Sequence, residues 1–182
     1  KQDQYVSAYG GIKSYIFKKN NTVINKPLII SKNTIHDLED NLLLFFTGYT
    51  RNANKILYTQ NIKSLRKDKD IQDNLDFVKS LGYKIKKCLE KGNNKKFGEL
   101  MLEHWEYKKN RSNIITNRKI DKWYNIALKN GAVGGKLVGA GGGGFLMFYA
   151  NDRNKLLQAM KKENLQNVRF RFDFEGTKAN ID

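Results

Sequence analysis

Eight of the chain's fifteen glycines fall between residues 131 and 149, in the run G-A-V-G-G-K-L-V-G-A-G-G-G-G-F-L-M-F-Y. Glycine loses more backbone freedom on folding than any other residue, so four in succession in an apolar context need a cause. Either the backbone adopts conformations closed to other residues, or some group comes closer than a Cβ allows.

Gly139, Gly141 and Gly144 formally spell G-x-G-x-x-G. That fingerprint binds a dinucleotide only between a strand and a helix, because the helix N-terminus holds the pyrophosphate. Residues 136–138 suit a strand, but residues 145–149 form a short aromatic and aliphatic run that reads as a second strand. A phosphate-binding P-loop fails as well, since no Lys-Ser or Lys-Thr closes the run. The prediction is a hairpin, strand–glycine loop–strand, with a tip of almost bare backbone. From the glycines alone, an empty hairpin and a ligand-binding one remain equally open.

The length of 182 residues suffices for one domain with a substantial core and part of another. Cys88 is the only cysteine, which excludes a disulfide scaffold and suits a reducing compartment; the expected location is cytoplasmic. His36 and His104 stand apart with no cysteine near either, so no metal site is predicted. No apolar run reaches membrane-spanning length, and the first apolar segment is broken by Gly10, Gly11 and Lys13, unlike a signal peptide. Lys and Arg number 34 against 18 Asp and Glu, a formal net charge of +16. Such a charge favours anionic partners, nucleic acid, phosphorylated metabolites or anionic lipid among them. The lysines are dispersed, however, and read first as a solvated surface.

Along the chain, residues 4–8 read as the tail of a helix stopped by Gly10 and Gly11. Residues 12–17 and 22–24 read as a hairpin around a polar turn. Residues 41–46 form an apolar strand ending at the turn Thr47-Gly48-Tyr49-Thr50-Arg51, ahead of a short helical stretch at 54–58. A charged linker at 63–70 precedes a long amphipathic helix whose inward face is Ile71, Leu75, Val78, Ile85 and Leu89. Phe97, Leu100, Met101, His104 and Trp105 define a second helix. A third carries Ile120, Trp123, Tyr124 and Ala127, with Asn117 as its cap and Gly131 as its stop. Leu156, Leu157 and Met160 define the last helix, and Val168, Phe170, Phe172 and Phe174 alternate with polar residues as a closing half-buried strand. The order from residue 42 is β-α-β-β-α-β. The expected fold class is therefore α+β, a ferredoxin-like split βαβ domain with extra helices, preceded by a hairpin.

Four segments together resemble one family. K-L-V-G-A-G-G-G-G-F at 136–145 resembles the third signature of the GHMP small-molecule kinases, and Q-D-Q-Y-V-S-A-Y-G-G at 2–11 resembles their segment carrying the catalytic aspartate. F-T-G-Y-T-R-N-A-N-K-I-L at 46–57 and the L-x-x-W-x-x-K-K pattern within 97–111 resemble the D-glycero-D-manno-heptose 7-phosphate kinase branch. The resemblance implies an ATP-dependent, Mg²⁺-assisted transfer of a phosphoryl group to a sugar hydroxyl. It also implies an N-terminal domain with a glycine- and serine-rich phosphate loop, Mg²⁺ ligands and a catalytic lysine, and this chain has no such loop. On that reading the chain is the C-terminal part of a sugar kinase. Residues 1–40 are then a remnant hairpin of the N-terminal catalytic domain and 41–182 the C-terminal domain. The partners are ATP, a phosphorylated sugar and the missing N-terminal half, and this stretch alone is expected to be inactive.

Residue by residue, the resemblance makes Asp3 the catalytic carboxylate that receives or orients the hydroxyl proton, although the same residue also suits a frayed terminus. The tip Gly141, Gly142 and Gly143 would border the sugar with its N–H groups facing anionic oxygen. Gly139 and Gly144 would pack on the phosphate loop of the absent half. Arg51, with Thr50 beside it, is the candidate for the substrate's phosphate, because a guanidinium fork matches phosphate; the spacing equally suits a surface arginine. Two other readings stand. One is a basic RNA-recognition-like module, which would expose Phe145, Phe170 and Phe172 for base stacking. The other is a noncatalytic remnant domain.

Overall fold

The computed structural model describes residues 2–49, 69–109, 115–139 and 142–178. Helix α1 (Gln2–Tyr9) leads into an antiparallel two-stranded ribbon, β1 (Lys13–Phe17) with β2 (Val23–Pro27). Then follow α2 (Lys32–Asn41), β3 (Leu42–Phe46), α3 (Lys69–Glu90), α4 (Asn94–Lys109), α5 (Arg118–Lys129), β4 (Ala132–Leu137), β5 (Phe145–Ala150), α6 (Arg153–Lys162) and β6 (Gln166–Val168). Strands β3 to β6 form one antiparallel sheet in the order β4-β5-β3-β6. From β3 onward this is the split β-α-β-β-α-β arrangement expected from the sequence, with its first and third strands central and α3, α4 and α5 in the first crossover.

Strand β3 reads L-L-L-F-F without alternation because both faces of the sheet are covered. On one face Leu43, Phe45, Leu137, Leu146 and Phe148 join Ile120, Trp123 and Tyr124 of α5, Leu156 and Met160 of α6, and Trp105. On the other, Leu42 and Tyr149 pack with Leu38 of α2, Leu81, Cys88 and Leu89 of α3, and Leu100 and Met101 of α4. That second layer roofs the surface an RNA-recognition domain leaves open for bases, and Phe170 and Phe172 are packed against it. Phe145 is half-buried beside Phe46, with ring centroids 5.2 Å apart.

Local chemistry sets the helix starts. The Asn117 side chain accepts the N–H groups of Lys119 and Ile120, and that of Asp152 accepts the N–H of Lys155. Ser31 likewise caps α2, a helix the sequence reading did not anticipate.

Three expectations are corrected. The closing strand spans only Gln166–Val168; beyond it the chain leaves the sheet, and the Phe172 N–H is satisfied by the Glu39 carboxylate at 3.0 Å instead of a strand partner. Leu75 is 40% exposed, and α3 is anchored by Leu81. Strand β4 begins at Ala132, so Gly134 and Gly135 lie inside it. A Cβ on Gly134 would collide with the Gly98 carbonyl of α4, and one on Gly135 with the Phe148 ring. The Tyr124 hydroxyl donates to the Gly135 carbonyl at 2.8 Å and accepts its N–H at 3.2 Å. These two glycines let a helix backbone and a buried phenol reach the sheet. The helical stretch at 54–58 and most of the linker at 63–70 lie outside the described residues.

Candidate functional site

The glycine loop connects β4 to β5 as a hairpin, its neck closed by the Val138 N–H donating to Phe145 O at 2.8 Å. Gly139, Gly142 and Gly144 have φ of +81°, +74° and +94°. Side chains with a Cβ rarely adopt such values, so glycine is required here for conformation.

The loop folds onto the turn that follows β3. The Thr47 N–H and hydroxyl both donate to Gly144 O at 2.9 Å, and the Gly144 N–H donates to Tyr49 O at 2.8 Å. A Cβ on Gly143 would stand 2.5 Å from Tyr49 O. The Gly142 N–H donates to Ile115 O at 2.7 Å. From beneath, the buried Lys108 ammonium donates to Leu137 O at 3.1 Å and Gly139 O at 2.5 Å, clamping the loop's first limb. Lys136 is half-buried on β4, and loss of hydration holds its ammonium pKa below the ordinary lysine value.

This geometry changes the role expected of the tip. The N–H groups of Gly142 and Gly144 do not face an open anion site, because they donate to the carbonyls of Ile115 and Tyr49. Thr50, Arg51 and Gly141 lie outside the described residues; Tyr49, directly before Thr50 in the chain, is the loop's partner. Asp3 is exposed in the first turn of α1. That helix is tied to the tail by Thr177 N–H donating to Ser7 O at 3.0 Å, and Tyr5 packs on Tyr15 and Phe17. Among the described residues no hydrogen bond or ion pair joins Asp3 to Gly139, Gly142, Gly143 or Gly144. Nor do the described residues gather three His, Cys, Asp or Glu side chains able to hold a metal. With the Gly142 and Gly144 N–H groups engaged internally, neither is free to donate to a phosphate.

Sequence reasoning gave no role to Thr47 and Lys108. Both stood inside the segments that carried the family resemblance, and that was the available signal.

The sheet order, the two helical layers and the glycine hairpin locked to the β3 turn make an α+β domain of the split βαβ type. Residues 85–166 match the family described as GHMP kinases C terminal. It is 32% identical over 180 residues to D-glycero-alpha-D-manno-heptose 7-phosphate kinase of Campylobacter jejuni, covering 98% of this chain and 52% of the relative. The crystal structure of a D-glycero-D-manno-heptose 1-phosphate kinase from Bacteroides thetaiotaomicron matches with a TM-score of 0.69 at 26% identity, covering 97% of this chain and 47% of that one. L. major mevalonate kinase in complex with R-mevalonate shares the fold, with a TM-score of 0.73 at 18% identity over 97% of this chain and 53% of that one. The chain thus spans about half the length of the curated relative, 52% of it. No described helix is long and apolar enough to cross a membrane.

Proposed function

We propose that this chain is the C-terminal half of an ATP-dependent sugar kinase whose acceptor is a heptose 7-phosphate. On this reading residues 1–40 complete the N-terminal catalytic domain and 41–182 form the substrate-side domain. The observation that carries it is the lock between Gly143–Gly144 and Thr47–Tyr49, which ties the family's glycine signature to the segment leading into Thr50 and Arg51. Arg51 grips the substrate phosphate with a guanidinium fork, assisted by Thr50. Asp3 takes the proton of the attacking sugar hydroxyl. The glycine loop acts mainly as a rigid wall that fixes the Thr47–Tyr49 turn, and Gly141 and Gly143 border the sugar. ATP supplies the phosphoryl group, and its phosphates and Mg²⁺ are held outside the described residues.

The test joins this chain, in one polypeptide or as two, to the N-terminal half of the Campylobacter relative. ADP release is then measured with heptose 7-phosphate, fucose and mevalonate as acceptors, in ATP and Mg²⁺. Turnover with heptose 7-phosphate that Asp3→Asn abolishes is expected. A folded complex that phosphorylates none of the acceptors would refute the reading.

A further inference from the structure

At the end of β3 opposite the glycine loop, a cleft of about 250 Å³ opens between α2, α6 and the chain that follows β6. Its polar lining is Glu39, Asp40, Arg153, Asn167, Arg169 and Arg171. Three guanidinium groups therefore meet two carboxylates. One carboxylate is already engaged: Glu39 accepts from Arg171 and from the Phe172 N–H, each at 3.0 Å. Asp40 is exposed at the rim. Arg153 and Arg169 form no ion pair among the described residues, and the Arg153 Nε is shut off from water without an acceptor. Three guanidinium groups on the lining of one small cleft match a tetrahedral oxyanion, and the volume admits a phosphate with a short polar substituent but not a nucleotide.

We propose that this cleft binds a small phosphate monoester, with its phosphate seated between Arg153 and Arg169 and Arg171 closing the rim. Phe170, which also lines the cleft, offers an apolar wall to the ester's carbon skeleton. Neither the site nor its test depends on the kinase reading.

Calorimetric titration of the 182-residue chain with ribose 5-phosphate, and with inorganic phosphate as competitor, tests the proposal at low and at moderate salt. Saturable one-site binding is expected. Inorganic phosphate should compete, and ribose should not bind. Arg153→Gln and Arg169→Gln should each weaken binding about tenfold. Arg169 is exposed on the tail, so its variant carries the test should Arg153→Gln fail to fold. Lys87→Gln with Lys91→Gln removes charge elsewhere and should leave binding unchanged. Three results would overturn the proposal: no saturable binding, an equal loss in the lysine variant, or a loss in Arg51→Gln in place of the Arg153 and Arg169 variants. The last would assign the phosphate to the turn after β3.

Discussion

Gly143 lies so close to Tyr49 that a Cβ on it would stand 2.5 Å from the Tyr49 carbonyl oxygen, while the neighbouring Gly144 N–H donates to that same oxygen at 2.8 Å. Backbone meets backbone at this point, and no side-chain rotation can relieve an added methyl. Gly143→Ala should therefore force the loop from the turn and cost about 1–3 kcal/mol. Gly139 is the control, because nothing lies within 4 Å of its Cβ position and only its φ of +81° opposes a side chain. Gly139→Ala should cost about 1–2 kcal/mol, from backbone strain alone. Denaturant midpoints give the costs. Exchange of the Gly144 amide separates the causes: it should speed up in Gly143→Ala far more than in Gly139→Ala.

Lys108 should stabilise the loop from the opposite side. Its ammonium is buried and donates to carbonyls at residues 137 and 139, at the start of the loop. Lys108→Met keeps much of the volume and removes the donors, leaving both carbonyls short of a partner. A loss of about 1.5–3 kcal/mol is expected, the range for hydrogen bonds made by a charged group. Lys109→Met is the comparison: it removes an ion pair with Glu106 and a cation–π contact over the Trp105 ring, and should cost about 1 kcal/mol. Equal effects of the two substitutions would mean that the clamp contributes nothing.

What the sequence made legible follows from how local each cause is. The glycine hairpin, the Asn117 cap and the α5 face were readable because turn chemistry and the 3.6-residue period act within a few residues. Helix α2 was missed because its buried residues, Thr34 and Leu38, give a single inward step in an otherwise polar segment. The aromatic alternation after Val168 signalled a strand, yet β6 stops there because Glu39, far away in the chain, supplies the acceptor for the Phe172 N–H. The lock at Tyr49 and the burial of Lys108 rest on carbonyls brought in from other elements, which no local pattern encodes. A lysine in a charged helix reads as surface until the sheet it packs on is known.

Alkaline pH should unfold this protein through two tyrosines. Burial raises the phenol pKa of Tyr124 well above the ordinary value. Tyr149 is raised first by burial, then by its hydrogen bond to Asp37 at 2.9 Å and that carboxylate's charge. In the unfolded chain both titrate near about 10. Below that value folded and unfolded states hold the same phenol protons, and the stabilisation is complete. Above it the unfolded chain releases protons the folded one keeps, so stability falls as pH rises, by up to about 1.4 kcal/mol per pH unit for each tyrosine. Denaturation midpoints between pH 8 and 11.5 should show this decline. Tyr149→Phe, although weaker at neutral pH, should show a shallower one, and an unchanged slope would exclude Tyr149 as a source.

The isolated 182-residue chain should transfer no phosphate from ATP. Phosphoryl transfer is positioning and charge stabilisation, and it needs a run of N–H groups around the phosphates together with a metal. Here the Gly142 and Gly144 N–H groups already serve Ile115 and Tyr49. Joined to the other half of a kinase, the chain should contribute substrate binding, and Arg51 supplies the quantitative check. Arg51→Ala should raise KM for the heptose phosphate roughly ten- to a hundredfold, the equivalent of about 1.5–3 kcal/mol, with a smaller effect on kcat. Asp3→Asn should do the reverse, lowering kcat severely while KM moves little, because its interaction develops as the hydroxyl loses its proton. Steady-state kinetics on the two variants separates the roles. An Arg51→Ala enzyme with an unchanged KM would remove that residue from the substrate site, and turnover by the isolated chain that Asp3→Asn abolishes would overturn the two-half account.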